Sequence, residues 1–148
     1  MTILIESPLF ALAHDPSCAC LYATWEGHHT TPITQANYEL IFWFVRITGS
    51  TKLLNDGLLD QNGWQEATAW LAQDCFRRLA QEGITAVAWV LPRDTEALRD
   101  TRKLLALLEQ PLVGTFGDSE AAYNWLHQWP RIASRCPSPP EKGTDSYN

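Results

Sequence analysis

Apolar and polar positions along the chain alternate between a period of two and a period near 3.6. Leu9 to His14 is a short apolar run, Asp15-Pro16-Ser17 supplies turn chemistry, and Cys18 to Trp25 runs back, so residues 9–25 read as a β-hairpin ended by Gly27. Thr31-Pro32 opens a helix, because Thr caps and Pro loses nothing at the first helical position. Ile33, Ala36 or Asn37, Leu40, Phe44 and Ile47 then recur as its expected core stripe, with Gly49 as the stop. Residues 41–45 are apolar all round, which requires cover on more than one side, by a second surface such as a partner subunit, unless the segment is partly strand.

Lys52 to Leu59 reads as a short strand broken by Asn55-Asp56-Gly57, and Gln61-Asn62-Gly63 as a turn. Trp64 to Gln81 is helical, with Ala67, Leu71, Cys75 and Leu79 on one stripe, and Gly83 ends it. The nearly continuous apolar run Ile84 to Leu91 is what a strand buried on both faces of a parallel sheet looks like. Asp94 caps a clearly amphipathic helix through Ala97, Leu98, Thr101, Leu104, Leu105 and Leu108, stopped by Pro111. Leu112 to Phe116 is a last short strand, and Asp118 or Ser119 caps a helix carrying Ala122, Trp125, Leu126 and Trp129. Strands alternating with helices predict an α/β fold with a mixed, mostly parallel sheet and right-handed crossovers. The domain is expected over residues 1–129, and the proline-rich stretch 130–148 as a tail.

Composition narrows the function classes. The 148 residues are 45% hydrophobic and only 19% charged, which argues against disorder. Residues 1–76 carry two basic and eight acidic side chains, whereas 77–148 carry nine of each, so the net charge of −6 belongs to the first half. An acidic chain is a poor match for nucleic acid. No apolar run reaches the roughly 18 residues of a membrane span. The start MTILIESPLF lacks a basic n-region, and four cysteines without a secretory signal fit a reducing compartment, so a cytoplasmic location is expected.

Candidate chemistry is sparse. The polar segment Asn55–Gly63 brings Asn55, Asp56, Asp60 and Asn62 near the carboxyl ends of the strands, where open α/β sheets bind ligands. Two carboxylates there suit acid–base work if one pKa is raised, although turn preference alone accounts for every residue. His28-His29 with Cys18 or Cys20 lacks the ligand spacing of a zinc site, so no metal and no cofactor are expected. No nucleophile elbow and no phosphate-cradling glycine motif occurs, so no enzyme is indicated. Of the seven tryptophans, Trp25, Trp89, Trp125 and Trp129 fall on core faces, while Trp43, Trp64 and Trp70 are harder to bury in a monomer.

The landmarks Trp25-Glu26-Gly27, Leu53-Leu54-Asn55-Asp56, Trp64, Gly83, Phe116 and Trp125-Leu126 together resemble the SpoIIAA-like family, which has the fold of STAS domains. The resemblance covers roughly residues 9–129, is closest to small stand-alone bacterial members, and implies a four-to-five-stranded mixed sheet with crossover helices. Anti-sigma-factor antagonists of this fold are switched by phosphorylation of a Ser or Thr at the start of the helix after the Asp-bearing strand. Residues 52–67 contain neither Ser nor Thr, so that switch is not expected here. The expected function is a non-enzymatic regulatory or protein-interaction module that binds a protein partner, a second copy of itself included, through Trp43, Trp64 and Trp70. The alternative is a pocket near residues 55–64 for a small apolar, lipid-like ligand.

Overall fold

The computed structural model describes residues 1–129, so the expected tail lies outside the described residues. Six strands form one sheet in the order of the chain: β1 (Thr2–Glu6), β2 (Phe10–Asp15), β3 (Cys20–Gly27), β4 (Lys52–Asp60), β5 (Ala86–Val90) and β6 (Leu112–Phe116). The first three pair antiparallel, and β3 to β6 pair parallel. The fold is therefore α/β and mostly parallel, with six strands where four to five were expected. The additional edge strand is β1, whose Ile3, Leu4 and Ile5 form too short a run to stand out without its partner β2.

Helix α1 (Thr31–Thr48) connects β3 to β4. The Thr30 hydroxyl accepts from Ile33 N, Pro32 sits in the first turn, and Gly49 takes the left-handed conformation at φ 67° that closes the helix. The next crossover runs from a 3₁₀ turn (Gln65–Ala67) through α2 (Thr68–Trp70) and a π-helical turn (Leu71–Cys75) into α3 (Phe76–Gln81). Its expected stripe is the buried one, with Ala67, Leu71, Cys75 and Leu79 inside. Helix α4 (Thr95–Leu107) leads to β6, and α5 (Ser119–Gln128) follows. Asp94 and Asp118 cap these two helices, each accepting from a backbone N–H three residues on.

α1, α2, α3 and α4 all cover one face of the sheet, and α5 covers the other. The larger core joins Tyr38, Ile41, Phe42 and Val45 of α1 to Leu71, Phe76, Leu79 and Leu104, over Leu21, Trp25, Leu53, Val87 and Trp89. On the opposite face Ala122 and Leu126 of α5 sit on Leu54, Ala86, Ala88 and Val90, and β5 is buried on both sides as its apolar run implies. Two ties fasten α5. Lys52 Nζ donates to Leu126 O at 2.8 Å, a cation on the helix C-terminus, and the Tyr123 hydroxyl donates to Asp15 Oδ2 at 2.6 Å.

The stripe expected to line the core from α1 is turned the other way. Ile33, Ala36, Leu40 and Ile47 are exposed and Phe44 is half-buried, whereas Thr34, Tyr38, Ile41, Phe42 and Val45 point inward. Both sets recur at helical spacing, and the polar hydroxyls of Thr34 and Tyr38 disguised the inner one. The apolar girdle at 41–45 thus divides between an inner side and an outer side, and the segment is helical throughout.

Candidate functional site

β4 organises the candidate residues. It is continuous through Asn55-Asp56-Gly57, but its pairing with β3 slips between Thr24 and Glu26, where two steps along β3 match three along β4. That bulge breaks the alternation of side chains, so Asp56 and Asp60, four residues apart, leave the sheet on opposite faces. Asp56 accepts from the Tyr22 hydroxyl at 3.1 Å and from Leu58 N at 3.2 Å, on the α5 side. Asp60 turns to the other side, where Trp64 Nε1 donates to its Oδ2 at 2.9 Å and His29 Nδ1 lies 3.3 Å from its Oδ1. The two carboxylates do not meet.

His29 is fully buried, and its other nitrogen, Nε2, lies 2.8 Å from the carbonyl of Leu9. Both ring nitrogens therefore face acceptors, an arrangement that only the doubly protonated imidazolium satisfies completely. Burial alone pushes the His29 pKa down, and the bonds to Asp60 and Leu9 outweigh it, so the pKa stands above its ordinary value. The adjacent His28 looks outward instead, with Nδ1 3.1 Å from Asn62 Oδ1, and Asn62 Nδ2 donates to Glu96 at 2.7 Å. Gly63, at φ 122°, lets the loop pass over this pair, because a Cβ there would stand 2.7 Å from the His29 carbonyl oxygen.

Above the carboxyl ends of β3, β4 and β5 lies a small cavity of about 30 Å³, opening outward. Trp25, Trp64, Trp89, Leu71 and Leu104 give it apolar walls, and Thr34, Tyr38, Asn55 and Asp60 give it polar ones. Asn55 is held by Trp25 Nε1, which donates to its Oδ1 at 2.6 Å, and its own Nδ2 donates to the Tyr38 hydroxyl at 3.3 Å. The Tyr38 pKa is raised well above the usual phenol value by burial, so it keeps its proton.

Of the residues singled out in the sequence, Asn55, Asp60 and Trp64 meet at this cavity. Trp64, expected to be hard to bury, is only 5% exposed, because its N–H finds Asp60. Asp56 and Asn62 stand outside it, Trp70 is half-buried edge-on to Tyr38 at 6.3 Å between ring centres, and Trp43 lies on the outer face of α1. Trp125 and Trp129, expected inside, are half-buried against the smaller core. Thr34 and Tyr38 were missed with the inner stripe of α1. His29 was noticed only beside His28, and the separation of their roles depends on the fold of the 61–63 turn.

Cys18 and Cys20 are both buried beside α5, with Cys18 in the hairpin turn rather than in the strand. Burial pushes up the Cys18 and Cys20 thiols, which keeps them protonated and unreactive. Among the described residues no three His, Cys, Asp or Glu side chains converge as metal ligands would. Thr68, the first hydroxyl after β4, donates to Gln65 O at 2.7 Å within the helix start. No helix among the described residues is long and apolar enough to cross a membrane. No family model matches the chain, and neither a curated protein nor a solved structure matches it significantly.

Proposed function

We propose that this protein is a non-enzymatic interaction module of SpoIIAA-like type that pairs with a second copy of itself through the outer face of α1. The observation that carries this is the outer stripe itself. Ile33, Leu40, Trp43 and Ile47 are 48%, 38%, 60% and 59% exposed, and with exposed Ala36 they follow the spacing 3-4-3-4. That spacing is the seam of a helix meant to pack along another helix. No charged residue interrupts it, and the nearest charges are engaged within the chain, Glu39 with Arg78 and Arg46 with Glu82. A self-complementary stripe of this kind meets its own image across a two-fold axis without needing a second kind of surface. A single helix pair is a small interface, at the low end of about 1,200 Å², so the dimer is expected to be weak and concentration-dependent. The N-terminal hairpin, the parallel β3–β6 sheet and the crossover helices support the SpoIIAA-like assignment, and the absence of Ser and Thr over 52–67 supports a module without that family's phosphorylation switch.

Sedimentation equilibrium over a range of concentrations tests the pairing. A monomer–dimer equilibrium abolished by Trp43→Glu is the expected result. A wild-type chain that stays monomeric to millimolar concentration, or a dimer that tolerates Trp43→Glu, removes the proposal. The non-enzymatic part rests on the engagement of Asp56 and Asp60 by Tyr22, Trp64 and His29 on opposite faces of the sheet. A hydrolytic or isomerising activity lost in Asp60→Asn, with the fold intact, would overturn it.

A further inference from the structure

The cavity beneath α1 is lined with more hydrogen-bond donors than the protein uses. The Thr34 hydroxyl, in a side chain only 3% exposed, has no partner among the described residues. The Tyr38 hydroxyl accepts from Asn55 Nδ2 and keeps its own hydrogen unspent. Asn55 Nδ2 has a second hydrogen, and Trp89 Nε1 lies 3.5 Å from where a Cβ on Gly57 would stand. Of the acceptors on the same walls, the amide and carboxylate oxygens are already engaged, since Asn55 Oδ1 takes the Trp25 N–H and the two Asp60 oxygens face Trp64 and His29. An unmatched buried donor costs free energy comparable to a lost hydrogen bond, so this collection of donors calls for an acceptor from outside.

We propose that the cavity is a binding site for the oxygen of a neutral carbonyl group, in a small ketone, amide or ester, whose remainder lies toward the opening. The size agrees: about 30 Å³ holds one or two water-sized groups, which is a carbonyl and one substituent and not a lipid chain. The charge agrees as well. An anion would approach the Asp60 carboxylate, and a cation would find the Asp60 oxygens already taken by Trp64 and His29. The place is where open α/β sheets bind their ligands, beyond the carboxyl ends of parallel strands. The site uses the inner face of α1 and is independent of what its outer face does.

Acetone is the probe, read from the indole N–H resonances of 15N-labelled full-length protein, with the Trp89 signal assigned through Trp89→Phe. Acetone is expected to shift that signal saturably, and Thr34→Val, which replaces the hydroxyl by a methyl, is expected to weaken binding about fivefold or more, the loss of one hydrogen bond. Acetate, methylammonium and xenon are run in parallel. No saturable response to acetone, a response to acetate, methylammonium or xenon at lower concentration, or unchanged acetone binding by Thr34→Val overturns the proposal. Should Thr34→Val fail to fold, Gly57→Ala serves instead. Its Cβ would stand 3.1 Å from the Val90 carbonyl oxygen and 3.5 Å from Trp89 Nε1, so a lost acetone response in a variant whose remaining amide resonances are unmoved upholds the site, and an undiminished response overturns it.

Discussion

Helices α1 and α4 do the same structural job and present opposite outsides. Both cover the same face of the sheet, and both bury a helical stripe, Tyr38, Ile41, Phe42 and Val45 in one and Ala97, Thr101 and Leu104 in the other. The outside of α4 carries Glu96, Arg99, Arg102 and Lys103, the charged surface expected of a helix whose partner is water. The outside of α1 carries Ile33, Leu40, Trp43 and Ile47. Scattered apolar residues on a surface need no explanation, but a continuous strip along one helix does. Packing against the sheet therefore explains one side of α1, and the proposed pairing with a second copy would account for the other.

Neighbouring residues on α1 break or confirm this contrast most sharply. Phe42 is fully buried beneath the Arg78 guanidinium, 3.9 Å from its ring centre, and Trp43 points away. Phe42→Ala is expected to cost about 3–5 kcal/mol in urea unfolding, whereas Trp43→Ala should shift the dilute monomer by no more than about 0.5 kcal/mol. Equal losses would mean that the outer face is not free in the monomer. Next in size is association. Leu40→Asp should weaken the dimer about a hundredfold, or ~2.7 kcal/mol, while the charge reversal Arg102→Glu on α4 should leave it unchanged. An equal response from both helices would place the interface elsewhere.

The caps give a smaller effect. Asp94→Ala removes the bond to Ala97 N and should lower stability by about 1 kcal/mol, with the loss confined to α4 in hydrogen exchange. Uniform loss of protection would show that the cap matters to more than its own helix. The smallest effect is a pH dependence under the inner face of α1. The His29 pKa is raised on folding, so its contribution is complete below the unfolded value of about 6.5 and is lost as pH rises through the folded value. Unfolding midpoints of the wild type relative to His29→Gln should accordingly fall from about pH 5.5 to pH 8.5. A relative rise over that window would reverse the sign and show that His29 is held neutral.

Much of the architecture could be read from local signals, because those signals are local in cause. Gly49, Asp94 and Asp118 mark helix ends through bonds made within a turn of themselves, and Thr31-Pro32 marks the start of α1 one residue after the actual cap, Thr30. The run Ile84–Leu91 declares a strand covered on both faces. The candidate site was legible only in part. Asn55, Asp60 and Trp64 were visible as polar and aromatic residues near strand ends, whereas Thr34 and Tyr38 were hidden by the ambiguity of α1. Its two stripes are both apolar enough to be a core, and no local rule ranks them.

By itself, then, the sequence determined the order and approximate extent of every element after β1, that they alternate into a mostly parallel sheet, and that the negative charge gathers in the first half. Only the tertiary structure decided which face of α1 turns inward, that Asp56 and Asp60 part across the sheet, and that Trp64 is buried. The physical reason is the same in each case. Periodicity defines the faces of an element, but burial belongs to two surfaces at once. The β4 bulge that separates the carboxylates exists only in register with β3, and the Trp64 N–H can be buried only because Asp60 stands where it can accept it.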